Sequence, residues 1–346
     1  MLFRSHDIQL QKEDIVLEQS IQLFGTTANV YSAIENVLNN QNNLNTPSDY
    51  AKYYQNVAST IQKGIQEINS LSITDDGVNQ VRQQIVQSLQ QMETDYQALG
   101  LLAEAQQLLN PPQNNTPNSN ASNSDTISEI LANKDKILSD ISQALQLLSE
   151  SQSYDMQSTA KQLFEIAQNF QTQVQTYLEG LEKTKQALDA LNTVNQLVTQ
   201  QPNLQDLPVQ KRTPSAYFLA LQNNYTEALR VLKNAMSFAM QANSLFEQIN
   251  ATPPFDMNEL QEEDIALEQS IQLFGTTANV YSAIENELNN QNNLNTPSDY
   301  AKYYQNVAST IQEGIQEINS LNITDDGVNQ VRQQIVQSLQ QMETDY

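Results

Sequence analysis

Apolar residues recur at spacings of four and three through six successive stretches of the chain, the pattern of helices that each bury one narrow seam. From about Glu13 to Asn40 the seam is Leu17, Ile21, Phe24, Ala28, Tyr31 and Leu38. A second helix carries Tyr50, Tyr54, Val57, Ile61, Gly64, Ile68 and Leu71. A third starts near Asp75, carries Val78, Val81, Ile85, Leu89, Met92, Tyr96 and Leu99, and stops at Asn110-Pro111-Pro112. The fourth shows Ile127, Ile130, Ile137, Ile141, Leu145 and Leu148. The fifth keeps the alternation from Met156 to Leu191; with its ends it covers roughly 45 residues, about 65 Å at 1.5 Å per residue. The sixth runs from Phe218 through Leu221, Tyr225, Leu232 and four alanines to Phe246 and Ile249. Seams this narrow are of the coiled-coil kind.

Local signals punctuate these helices. In Thr46-Pro47-Ser48-Asp49 the threonine can cap, the proline suits the first helical position, and the aspartate sits near the positive end of the helix. Thr213-Pro214 repeats the device, and Thr126-x-x-Glu129 reads as a capping box. Gly64 costs about 1 kcal/mol against Ala inside a helix, so close approach of a neighbouring helix is expected there. Residues 110–124, NPPQNNTPNSNASNS, read as a linker.

One stretch occurs twice. Residues 261–346 repeat residues 11–96 with five differences: Lys12/Glu262, Val16/Ala266, Val37/Glu287, Lys63/Glu313 and Ser72/Asn322. An unpaired buried carboxylate is costly, so positions 12, 37 and 63 are expected to face solvent. The second copy stops at Tyr346, whereas the first continues past Tyr96 into QALGLLAEAQQLLN. A unit of about 250 residues in a longer tandem array is therefore expected.

The resulting division is an atypical N-terminal segment (1–10), a helical bundle (11–109), the linker (110–124), a second bundle with a long central helix (125–250), a Pro-containing joint (251–260), and the truncated second copy of the first bundle (261–346). The fold class is all-α: tandem antiparallel three-helix bundles with coiled-coil-like seams, arranged as an elongated helical repeat rod. In outline such an array resembles spectrin-type or giant bacterial surface repeats, and a bacterial origin is expected. If neighbouring bundles share a repeated interface, the third bundle offers a face without its partner, and self-association is expected.

Charge and composition narrow the function classes. The net charge of −24 with 16 Lys+Arg disfavours nucleic acid and anionic membrane surfaces, since both need a positive patch; only Gln210-Lys211-Arg212 looks basic. No stretch of about 18 apolar residues could span a bilayer. A single His, His6, and no Cys remove Ser-His-Asp and Cys-His catalysis and His- or thiolate-ligated metal. Glu13, Asp14 and Glu18 are expected to complement the dipole of the first helix, and Asp75-Asp76-Gly77 lacks the spaced ligands of a calcium loop. Tyr50 and Tyr54 are expected in the seam, with Tyr53 outside it. Asn-x-Ser/Thr occurs at Asn114, Asn120, Asn224, Asn250 and Asn322, with the two in the linker expected to be accessible. No catalytic, cofactor-binding or metal residue and no cofactor is assigned, and no small-molecule substrate is evident. The expected partners are proteins, including a second copy of the chain, without nucleic acid or membrane insertion. The leading expectation is a non-enzymatic structural or interaction protein, at the cell surface or secreted rather than cytoplasmic. The alternative is a secreted effector or adhesin that binds a host or partner helix in a groove, which requires an apolar strip left exposed after bundling.

Overall fold

A computed structural model of the chain describes residues 2–41, 44–110, 119–152, 159–200, 202–203, 205, 209, 212–291 and 294–346, with the backbone alone for 2–11, 119–123 and 159. The described residues are all-α, with no strand among them. In chain order the helices are α1 (Leu2–Leu38), α2 (Pro47–Asn69), α3 (Asp76–Leu109), α4 (Ser119–Ala132), α5 (Lys134–Gln152), α6 (Thr159–Thr199), α7 (Pro214–Gln248), α8 (Met257–Asn289), α9 (Pro297–Asn319) and α10 (Asp326–Asp345).

The helix starts follow local chemistry. Thr46 accepts from the Asp49 amide, the Asp49 carboxylate accepts from the Thr46 amide at 3.0 Å, and Pro47 opens α2. Thr296 and Asp299 repeat this box at α9. Thr213 caps α7 by accepting from the Ala216 amide. Asp75 caps α3 by accepting from the Gly77 and Val78 amides at 2.9 and 3.0 Å. After α7, Asn250 turns the chain at φ 56°, a left-handed conformation that asparagine tolerates better than most residues.

Two expected starts are displaced. The backbone of α1 is helical from Leu2, so Glu13, Asp14 and Glu18 stand about three turns or more inside the helix and are exposed rather than placed at its positive end. Likewise α4 begins at Ser119, so Thr126 and Glu129 lie within it rather than at its start. The fourth expected helix is also interrupted at Asn133, whose side-chain amide donates to the Glu129 carbonyl at 3.0 Å, the kind of local competition that asparagine offers a helical backbone.

The chain forms two compact units, residues 1–178 and 179–346, divided within α6. In the first unit, α1, α2 and α3 share a core of Leu23, Val30 and Ile34; Val57, Ile61, Ile65 and Ile68; and Val78, Val86 and Leu89. Gly64 meets the expectation of close approach, because a Cβ there would collide with Val30 Cγ1. Gln19 locks α1 to the α2–α3 turn, donating to Thr74 Oγ1 at 2.8 Å and accepting from the Thr74 and Asp75 amides at 3.0 Å each. Farther along, α3, α5 and α6 meet through Ala98, Ala144, Leu148 and Ala167, small residues that let helices approach closely.

In the second unit, α8, α9 and α10 repeat the first core with Leu273, Val280, Ile284, Val307, Ile311, Ile318 and Leu339. Gln269 repeats the clasp to Thr324 and Asp325, and Gly314 repeats the approach to Val280. A separate core joins α6 (Ala187, Val194), α7 (Ala228, Leu232, Ala239) and the first half of α8 (Leu260, Leu267).

Substituted positions 12 and 63 face solvent, as do 262 and 313. Position 37 does not conform: Val37 is half-buried against the α1–α3 core, and Glu287 is half-buried as well. The tyrosine cluster is also turned from the expected order. Tyr50 is exposed, while Tyr53 packs on the core and donates its hydroxyl to the Leu38 carbonyl at 3.3 Å.

Candidate interaction face on the first repeat copy

In α8 two apolar stripes run along one helix. Leu273, Val280 and Ile284 point into the α9–α10 core. Leu267, Phe274 and Tyr281 form the second stripe, about 100° round the helix from the first, since Phe274 directly follows Leu273 and a turn takes 3.6 residues. Helix α7 covers that second stripe. Phe218 stacks on Tyr281 with ring centroids 5.4 Å apart and planes 11° from parallel, and on Phe274 at 6.3 Å. Tyr225 meets Phe274 edge-on at 5.0 Å, and Gln222 lies against Gly275.

Polar contacts fix the ends of this seam. The Ser215 amide and hydroxyl both donate to the Glu285 carboxylate, at 3.0 and 2.6 Å. Lys233 Nζ reaches Glu268 at 3.3 Å. Asn243 closes the α7–α8 turn, donating to the Phe255 carbonyl at 2.9 Å and accepting from its amide at 3.2 Å. Hydrogen bonds to a charged group are stronger than neutral ones, and aromatic pairs add about 0.5–1.5 kcal/mol each beyond area burial.

Helix α1 presents the same residues in the same order, and there they are open. Leu17 is 61% exposed where Leu267 is 5%, Phe24 58% where Phe274 is 6%, and Tyr31 40% where Tyr281 is 8%. Ile21, between them, is 64% exposed. A Cβ on Gly25 would meet nothing within 4 Å, in contrast to Gly275. Glu18 and Glu35, the counterparts of Glu268 and Glu285, are exposed. Beside the strip, a pocket of about 240 Å³ between α1 and α3 is walled by Val16, Leu23, Phe24, Val78 and Val81. Isolated exposed apolar side chains are ordinary; here Leu17, Ile21, Phe24 and Tyr31 are exposed together along one side of α1.

The seam expected for the first helix is therefore this second stripe and not the one buried against α2 and α3. Both stripes repeat at four and three, and the Leu17–Tyr31 series is the more aromatic, so periodicity alone favoured it. The open Leu17–Tyr31 stripe lies on the first copy. Along α9 a different face is more open than in α2: Tyr304 is 43% exposed where Tyr54 is half-buried, Ala301 is exposed where Ala51 is buried, and Ala308 is half-buried where Ala58 is buried.

A second depression, of about 450 Å³, lies between α2, α3 and α5 and is lined by Gln55, Gln97, Gln143, Glu93 and Glu104 among others. Its carboxylates are committed: Glu93 accepts from Gln97 at 3.0 Å, and Glu104 accepts from Gln55 and from Lys136, the latter at 3.5 Å. Nearby Asp95 accepts from Ser151 Oγ at 2.6 Å. Burial pushes both Glu93 and Asp95 above the ordinary carboxylate range, with the Ser151 hydrogen bond opposing it at Asp95. Such a groove offers hydrogen bonds rather than a nucleophile with its base.

Among the described residues, no group of three or more His, Cys, Asp or Glu side chains could hold a metal ion, and no helix is long and apolar enough to cross a membrane. The His6 and Asn120 side chains lie outside the described residues, as do Asn114, Met156, Gln210 and Lys211. The chain matches no protein-family model, no curated protein sequence and no solved structure.

Proposed function

We propose that this is a non-enzymatic helical repeat protein that works through protein–protein contacts, including self-association, with its helices grouped in tandem antiparallel threes as a spacer or surface rod. One observation carries the reading. A helix of nearly invariant sequence occurs twice, and its second apolar stripe is covered in one copy and open in the other. Burying a strip of this kind is favourable by about 25 cal/mol per Å², so the open copy is poised to acquire a neighbour. A surface or secreted location, the setting in which such arrays serve as stalks, is part of the proposal; protease treatment of intact native cells removes an exterior chain and spares an interior one.

The same strip also supports the second reading, an effector or adhesin that takes a host or partner helix, because that role requires an exposed apolar groove on α1. Sedimentation equilibrium of the full chain over a hundred-fold concentration range tests the leading reading. The expected result is an average mass that rises with concentration and stays monomeric in Phe24→Asp. A monodisperse wild-type monomer at the highest concentration would overturn self-association.

A further inference from the structure

The open face of α1 has a template within the molecule. We infer that it is an acceptor site for a helix of the α7 type, the segment Thr213–Ile249 of another copy of this repeat, docked antiparallel in the register that α7 takes on α8. The inference rests on the reading above and names the partner of that same face.

Three features select this occupant over others. Along the Leu267–Glu285 stretch, the α8 residues that grip α7 have identical counterparts on α1: Leu17, Phe24, Gly25, Tyr31, Glu18 and Glu35 for Leu267, Phe274, Gly275, Tyr281, Glu268 and Glu285; at the start of α8, Met257 has Asp7 as its counterpart. The acceptor is thus the same surface, already folded on its own α2–α3 core. Charge is the second feature. The strip is flanked by Glu18 and Glu35, so pairing two α1 faces would bring carboxylates to a seam in a chain of net charge −24, whereas α7 brings Lys233 to the first and the Ser215 amide and hydroxyl to the second. Third, Gly25 leaves room where Gln222 rests over Gly275. That notch serves a helix in the α7 register and has no use in a merely greasy surface.

Within one chain α7 is engaged by α8. An intact second molecule lends its α7 only by uncovering its own α8, so full chains associate through this face weakly and at high concentration. A firm complex at α1 therefore needs an α7-type helix whose apolar side is free.

The test is titration of a fluorescently labelled synthetic peptide spanning residues 212–250 into the full chain, followed by anisotropy, with sedimentation of the same mixtures. Binding at one peptide per chain is expected, with loss of any self-associated species as peptide is added. Phe24→Asp should weaken binding by at least about ten-fold and Glu35→Ala by about ten-fold; both positions are exposed, so the fold is retained. Gly25→Leu separates register-specific docking from general stickiness, because it enlarges the apolar surface yet fills the notch, and it should weaken peptide binding. Peptide binding indifferent to Phe24→Asp, or strengthened by Gly25→Leu, overturns the inference. Self-association that depends on Phe24 but is neither bound nor dissolved by the peptide overturns it too, while leaving the proposed function standing. A chain that neither associates nor binds the peptide overturns both.

Discussion

The duplicated helix permits one substitution to be made twice in nearly the same sequence and two different surroundings. Phe274 is 6% exposed under Phe218 and Tyr225, and Phe24 is 58% exposed. A phenylalanine carries roughly 200 Å² of surface, so about 100 Å² more is covered at position 274, equivalent to about 2.5 kcal/mol at 25 cal/mol per Å². The ring pairs that Phe274 makes with Phe218 and Tyr225 add about 0.5–1.5 kcal/mol each. Phe274→Ala should therefore cost about 3–5 kcal/mol, the usual range for a buried phenylalanine, and exceed Phe24→Ala by about 3 kcal/mol. Two compact units need not unfold together, so a single midpoint would blur the effect. Hydrogen exchange read by mass spectrometry separates them. Phe274→Ala should speed exchange in α8 by about a hundred-fold to a few thousand-fold, at about 1.4 kcal/mol per decade, and leave α1 unchanged. Phe24→Ala should alter either segment far less. Costs for the two variants within about 1 kcal/mol of each other would refute the assignment of the covered and open faces.

Gly64→Ala should lose stability: the gain of about 1 kcal/mol in helix propensity is outweighed by about 1–3 kcal/mol of overpacking, because the new Cβ meets Val30. Combining it with Val30→Ala should cost less than the two separate losses together, and urea midpoints that rise for both Gly64→Ala and Gly314→Ala would refute the close approach. Thr46→Ala should cost about 1 kcal/mol as a lost helix cap. Asp49 titrates below its ordinary value of 3.8, chiefly because the Thr46 side chain and then its amide hydrogen-bond the carboxylate. A lowered folded-state value means stability present above 3.8 and lost as the pH falls through the depressed value. An acid-unfolding curve of Thr46→Ala should thus be shallower below that pH than the wild-type curve, and curves that stay parallel would contradict the cap's role.

What could be read from the residues was whatever the chain settles over a few neighbours. Thr46-Pro47-Ser48-Asp49, Thr213-Pro214 and Asp75 start helices because a side chain two or three residues away satisfies free amides whatever the rest of the molecule does. The small residue Gly64 announced a close neighbour for a similarly local reason, although not that Val30 would be the neighbour. The box at Thr126 failed because helix continuation from Ser119 absorbed it. Gln19, which ties α1 to the α2–α3 turn across 55 positions of sequence, carries no pattern of its own and was invisible.

The two stripes of α1 are the clearest division between the two kinds of information. Periodicity determined that this helix is amphipathic and that Leu17, Phe24 and Tyr31 lie along one side. It could not determine that Leu23, Val30 and Ile34 would be buried against α2 and α3 while the Leu17–Tyr31 stripe stayed open. The two copies prove the point, since an almost unchanged sequence is buried at Phe274 and open at Phe24. Burial is a property of what lies within a few ångströms in space, and a helix with two apolar stripes leaves that choice to the elements packed beside it.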